Sequence, residues 1–209
     1  MQAEDSLDVP IIAILRGITP AMCVSVGEAL YSVGIRTIEV PLNSPDAFTS
    51  VSTLRAHLAV DCVVGAGTVL SVTDVQRTQE AGGRLVVAPN VDVDVIRCAL
   101  ELGLEVLPGF ATPTEAFQAL HAGATSLKLF PASSYGPQHL RALRAVLPRS
   151  IKIYPVGGVD ASQISAWLKA GANGFGFGSE LFKPSFDVAT IESKAIEITS
   201  AVREALRLN

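Results

Sequence analysis

Short apolar runs punctuate this chain at a spacing of about 20 to 25 residues: IIAIL from Ile11, RTIEV from Arg36, DCVVG from Asp61, RLVVA from Arg84, LEVLP from Leu104, SLKLF from Ser126, IKIYP from Ile151 and GFGFG from Gly174. Each is four or five residues long and several are rich in Val and Ile, as strands buried on both faces are. Amphipathic stretches fill the gaps. The pattern predicts about eight strand–helix units.

The helix boundaries are legible too. Thr19-Pro20, Ser44-Pro45, Ser71, Thr112-Pro113, Gly136-Pro137 and Asp160 stand where helices should start, because a small polar residue or a first-turn proline suits the free N–H groups there. Gly34, Gly82, Gly103, Gly123 and Gly171 stand where helices should stop, each just before the next strand. Strands alternating with helices imply a parallel sheet with right-handed crossovers. Eight such units close most economically into a (β/α)8 TIM barrel spanning residues 1–209 as one domain, with a short N-terminal extension and a C-terminal helix. An open doubly wound sheet is the alternative, but no GxGxxG follows the first strand. Gly65-Ala66-Gly67-Thr68 lacks the third glycine and the later acidic residue of a dinucleotide site.

Composition narrows the partners. The chain has 209 residues, 49% of them hydrophobic and 17% charged, enough to bury a core in one domain. Sixteen Lys and Arg against 20 Asp and Glu give a net charge of -4, with no basic run, so neither nucleic acid nor an anionic membrane is an expected partner. The acidic start MQAEDSLDVP lacks the apolar segment of a signal peptide, and no window is apolar enough to span a bilayer, which suggests a cytoplasmic protein. Cys23, Cys62 and Cys98 show no metal or disulfide spacing and read as reduced, mostly buried thiols.

The chemistry begins with a lysine inside an apolar strand. In SLKLF, alternation sends Leu127 and Leu129 toward the helices and Ser126, Lys128 and Phe130 into the barrel. The same alternation places Ile38 and Val40 outside and Thr37 and Glu39 inside. The second and sixth strands of an eight-stranded barrel lie opposite each other, and Arg16 closes the first strand at the same C-terminal rim, where barrel active sites are built. The trio reads either as a buried ion pair with an arginine cap or as a reactive site. In the second case Lys128, desolvated and near Arg16, is a nucleophile for a carbonyl, and Glu39 carries protons for it.

Two glycine-rich turns suit an anion. Gly157-Gly158 follows the seventh run, and Gly178-Ser179 follows the eighth, leading into an expected short helical piece at ELF. Barrels bind phosphate at these loops, although glycines alone also serve as tight turns. Thr68 and Asn43 are polar at the same rim and serve as either ligand contacts or helix caps. His57, His121 and His139 lack metal-ligand spacing and read as surface residues, so no metal is expected; Trp167 reads as packing.

Taken together, IIAILRGITP, IEVPLNSP, VGAGTVL, VAPN, LPGFATPTEA, LKLFPAS, YPVGGV and GFGS, in this order, resemble the 2-keto-3-deoxy-6-phosphogluconate and 6-phosphogalactonate aldolase family over essentially the whole chain. The resemblance implies a class I aldolase folded as a barrel, usually trimeric, working without metal or organic cofactor on a phosphorylated keto acid. It implies that Lys128 forms the Schiff base and Glu39 shuttles protons. Arg16 and Thr68 would serve the carboxylate, Gly157, Gly158, Gly178 and Ser179 the phosphate, and Pro108 and Phe130 would line the pyruvate pocket. Where gluconate-type members carry an arginine in EVTLRT, this chain has Glu39-Val40-Pro41-Leu42-Asn43, and PLNSP with FPASSYGPQ resembles the galactonate-type branch. The implied reaction is cleavage of 2-dehydro-3-deoxy-6-phosphogalactonate to pyruvate and D-glyceraldehyde 3-phosphate. Activity on the gluconate epimer, an isomerase or epimerase using Glu39 as base, and a non-catalytic sugar-phosphate-binding barrel are the alternatives.

Overall fold

The computed structural model describes residues 9–208; the expected N-terminal extension lies outside them. Among the described residues, nine strands and eight α-helices follow in the order β1 (Ile11–Ile14), α1 (Pro20–Ser32), β2 (Thr37–Pro41), α2 (Ala47–His57), β3 (Val63–Gly67), α3 (Val72–Glu80), β4 (Leu85–Val87), α4 (Val93–Glu101), β5 (Glu105–Leu107), β6 (Gly109–Phe110), α5 (Pro113–His121), β7 (Ser126–Leu129), α6 (Ala132–Arg144), β8 (Lys152–Pro155), α7 (Ile164–Lys169), β9 (Phe175–Phe177) and α8 (Val188–Arg207). The fifth apolar run is split into β5 and β6 at Pro108, which has no N–H to give the ladder.

All strand pairs are parallel. They form a curled six-stranded ladder, β5-β4-β3-β2-β1-β9, and a three-stranded ladder, β6-β7-β8. One parallel bridge, Val156 to Gly176, links the two between β8 and β9. The uninterrupted eight-stranded ring expected from the sequence is therefore present as two arcs.

Side-chain alternation sorts the strands' apolar residues into two clusters. Ile38, Val40, Leu127, Leu129, Ile153 and Phe175 belong to the large core between sheet and helices. Ile12, Leu85, Val87 and Leu107 form a small separate cluster on the concave face, with Val63 and Tyr154 against it. The interior is filled at that level, so what lies above it is a mouth and not a channel.

The caps follow the sequence closely. Ser71 and Asp92 accept backbone N–H groups at the starts of α3 and α4, and Thr112 with Glu115 forms a full capping box before α5. The five helix-ending glycines all have left-handed φ between 72° and 103°, which any other residue would adopt at a cost. Two expectations change. Helix α6 starts at Ala132 and is broken by Gly136 (φ 73°) before Pro137, instead of beginning there. The piece at ELF is a single turn, closed by Leu181 and Phe182 N–H donating to the Gly178 carbonyl; Pro184 follows, with no N–H to extend it. Among the described residues, no helix is long and apolar enough to cross a membrane.

Cys23 and Cys62 are buried and Cys98 half-buried, all as free thiols, and burial pushes Cys62 up to about 11. Trp167 is 1% exposed in the core. His57 and His121 are exposed, but His139 is not a surface residue. It is half-buried, its Nε2 is 2.6 Å from the Ala111 carbonyl, and its ring stacks on Tyr135 at 4.7 Å.

Candidate active site

Lys128 and Glu39 are the two charged side chains among the buried polar residues, 5% and 1% exposed. Lys128 is held by its strand: its N–H donates to the Pro108 carbonyl at 2.9 Å, and it pairs in register with Gly109 on one side and Tyr154 on the other. Pro108, whose ring breaks the ladder, thus supplies the carbonyl that fixes the lysine backbone. The Lys128 ammonium position lies 4.7 Å from the centre of the Phe130 ring. Burial drives the Lys128 amine below the usual range, Glu39 opposes this, and Arg16 adds to it.

Glu39 is deeper. It pairs with Ile14 and Gly65 on the neighbouring strands, and its Oε2 is buried with no hydrogen-bond partner. Burial pushes its carboxyl up to about 7, against the lowering pull of Lys128 and then of Arg16. A carboxyl raised by burial and an amine lowered by burial in one interior are the electrostatic signature of a proton-transfer site.

Arg16 is exposed at the end of β1 and donates from Nη1 to Asn43 Oδ1 at 2.6 Å, while Gly17 N–H donates to Ser44 Oγ at 2.8 Å. These two bonds tie the β1 and β2 rims together and aim the guanidinium over the mouth. Asn43 therefore acts on the arginine in this geometry.

A cavity of about 540 Å³ opens there, lined by Arg16, Lys128, Phe130, Gly157, Gly158, Gly178 and Ser179. Seven of the eleven residues singled out from sequence meet in this one wall. Glu39, Asn43, Thr68 and Pro108 lie outside it. Thr68, half-buried with left-handed φ of 55°, ends β3 beside Gly67. Sequence reasoning missed Ile14, Val156, Glu180, Phe182, Lys183 and Pro184, which also line the cavity. Lys183 sat in plain view four residues past Ser179, but without an alternation pattern to say which way it faces.

The phosphate-suited corner is built by conformation. Gly157 and Gly158 have φ of 91° and 68°, and a Cβ on either would press on Phe130 or on Ser133. Among the described residues, the N–H groups of Gly158 and Ser179 are engaged in no backbone bond of the turns, which leaves them for an anion. The Ser179 hydroxyl rests on Glu180 Oε1 at 3.2 Å.

A second cavity of about 310 Å³ lies at the opposite, N-terminal end, among Ile12, Leu85, Leu104, Leu107 and Tyr154. Its ionisable lining is Glu105 and Tyr154, the tyrosine raised mainly by burial. It has no cation for an anionic substrate, so the C-terminal cavity is the candidate site. Among the described residues, no cluster of three His, Cys, Asp or Glu side chains is arranged for a metal.

The chain is similar in sequence and in fold to several known proteins. "Probable 2-dehydro-3-deoxy-6-phosphogalactonate aldolase" of Rhizobium meliloti (strain 1021) is 45% identical over 192 residues, covering 92% of this chain and 91% of that protein. 2-Dehydro-3-deoxy-6-phosphogalactonate aldolase of Escherichia coli (strain K12) is 42% identical over 198 residues, 95% of this chain and 97% of that one. A solved structure described as "Native KDPGal structure" superposes with a TM-score of 0.93 at 42% identity, covering 99% of this chain and 100% of the other. The family model described as "KDPG and KHG aldolase" matches residues 4–197, and the chain belongs to that family.

Proposed function

We propose that this protein is a class I aldolase that cleaves 2-dehydro-3-deoxy-6-phosphogalactonate to pyruvate and D-glyceraldehyde 3-phosphate, with Lys128 as the Schiff-base residue. The observation that carries this reading is the buried Lys128 amine, depressed by desolvation, at the wall of a cavity that also carries Arg16, Lys183 and the free backbone N–H groups of Gly158 and Ser179. The galactonate-type substrate is supported by relatives of that name at 42% and 45% identity.

The neutral Lys128 amine attacks the C2 ketone and gives a carbinolamine, which loses water to an iminium. The iminium is the electron sink. Glu39 as carboxylate takes the C4 hydroxyl proton, directly or through water; the C3–C4 bond breaks, its electrons form the enamine, and the aldehyde leaves. Glu39 returns the proton to C3, and hydrolysis of the resulting iminium frees pyruvate and the amine. Arg16, with Thr68, takes the substrate carboxylate, Phe130 and Pro108 shape the pyruvate end, and Gly157, Gly158, Gly178 and Ser179 take the phosphate. Anchoring both ends of the substrate orients the bond to be broken.

The two arcs, joined at Val156–Gly176 and continuous through Pro108, support one closed (β/α)8 barrel forming a single domain. The family resemblance supports a homotrimer, and the net charge of -4 without a membrane-spanning helix among the described residues accords with a cytoplasmic enzyme. The test is borohydride reduction in the presence of pyruvate. An adduct on Lys128, absent in Lys128→Met, is expected; no adduct in the native protein, with solvent exchange at a substrate carbon, would establish an isomerase or epimerase instead.

A further inference from the structure

Gly67 is the third residue of the GAGT stretch, and neither turn geometry nor anion binding explains it. It lies inside β3, in register with Pro41, and its φ is outside the left-handed region, so its backbone accepts alanine. Its carbonyl is engaged by Leu42 N–H at 2.7 Å. What sets it apart is the space where a side chain would stand. A Cβ built on Gly67 would overlap Glu39 Oε2 and the carboxyl carbon and lie 2.7 Å from Oε1. Nothing else comes so close.

Glu39 Oε2 is also the oxygen that has no hydrogen-bond donor. A carboxylate is ordinarily fixed by donors, and where they are missing its position is set by the shape of its surroundings. We propose that Gly67 is a positioning residue for Glu39: its missing side chain leaves a notch on the concave face of β3, and the notch holds the carboxylate in the dry interior within reach of Lys128. The charged groups acting on that carboxylate are Lys128 from β7 and Arg16 from the end of β1. Gly65, two residues earlier, provides a contrast. A Cβ there would meet the Leu85 carbonyl, backbone of β4 that cannot swing aside.

For its kinetic readout the proposal rests on Glu39 carrying protons as described under Proposed function. Gly67→Ala moves the carboxylate out of the notch, toward the cavity and its cations, where it is less desolvated. The acid limb of kcat against pH then shifts down by at least about one unit, and kcat falls about tenfold or more while the pyruvate imine still forms on Lys128. In a Glu39→Ala background the new methyl meets nothing, so adding Gly67→Ala changes residual kcat and Tm by little. Gly65→Ala destabilises in both backgrounds.

The experiment is this double-mutant cycle, read by kcat–pH profiles, borohydride trapping and thermal unfolding. An unmoved acid limb in Gly67→Ala, or an equal loss with and without Glu39, overturns the proposal. If Gly67→Ala does not fold, a folded Gly67→Ala/Glu39→Ala protein supports it and an unfolded one overturns it. Absence of any imine in the native enzyme would sink the aldolase reading alone, since the unfolding cycle still reports whether residues 67 and 39 compete for the same space.

Discussion

Glu39 on β2 and Lys128 on β7 occupy strands that do not pair, yet each alters the other's proton equilibrium without an ion-pair contact between them. Distance matters here. A tight buried ion pair would lock the lysine as ammonium, useless as a nucleophile, whereas a separated pair lets burial lower the amine while the carboxyl is raised. In the proposed mechanism the iminium carries a fixed charge, and the same Coulomb attraction would then favour Glu39 as carboxylate, the form that would accept the C4 proton.

Glu39→Gln separates the two steps. Imine formation with pyruvate is expected to persist, whereas kcat falls by about a hundredfold or more with KM changed only a few-fold, because the group acts on the bond-breaking transition state. Equal losses in kcat/KM carried by KM alone would make Glu39 a binding residue.

The same substitution has a pH-dependent effect on stability. A carboxyl raised from 4.5 to about 7 by folding favours the native state only while protonated, so that contribution is complete below pH 4.5 and lost as pH rises through 7. The shift corresponds to on the order of 3 kcal/mol. Glu39→Gln, which cannot ionise, is therefore expected to match the parent near pH 4.5 and to unfold at higher temperature or denaturant above pH 7. A difference independent of pH would mean that Glu39 is not held in a desolvated site.

Lys128→Met removes a buried amine and keeps an unbranched chain of similar length. Activity and imine trapping should vanish, but at pH 6, where Glu39 is mostly protonated, stability should equal or exceed that of the parent, because an isolated buried cation costs more than its packing returns. A large destabilisation at that pH would show that the lysine is there to hold the fold.

Much of this site could be read from the chain because strands obey a two-residue period. Alternation alone put Lys128 and Glu39 in the interior and Leu127, Leu129, Ile38 and Val40 behind them, and the packing agrees. Residues outside strands were less legible. His139 is hidden by a helix that starts five residues earlier than Gly136-Pro137 suggests, and the helical piece at ELF is held to a single turn by Pro184, three residues past Leu181. The Arg16–Asn43 bond joins side chains 27 residues apart, and the space at Gly67 is a property of β2 as much as of β3; neither can be seen from local spacing.

That bond makes a graded prediction. If Asn43 works by aiming the guanidinium, Asn43→Ala should raise KM for pyruvate exchange by about threefold and Arg16→Ala by about tenfold or more, with the double variant no worse than Arg16→Ala. Additive losses would give Asn43 its own contact with substrate.

The phosphate end can be tested by changing the substrate instead of the protein. Backbone N–H groups of Gly158 and Ser179 offer hydrogen bonds, but a dianion also calls for charge, and Lys183 is the cation lining the cavity beside that corner, with Glu180 as the opposing carboxylate. Lys183→Ala and Ser179→Ala should each raise KM for the phosphorylated keto acid by about five- to thirtyfold, as the loss of a charge-assisted hydrogen bond does. Glu180→Gln, which weakens the acceptor facing the Ser179 hydroxyl and removes a negative charge, should lower it. None of the three should affect cleavage of the unphosphorylated analogue, and the Lys183 effect should shrink as salt rises. If the unphosphorylated substrate loses as much as the phosphorylated one, the anion does not bind at the β8 and β9 turns.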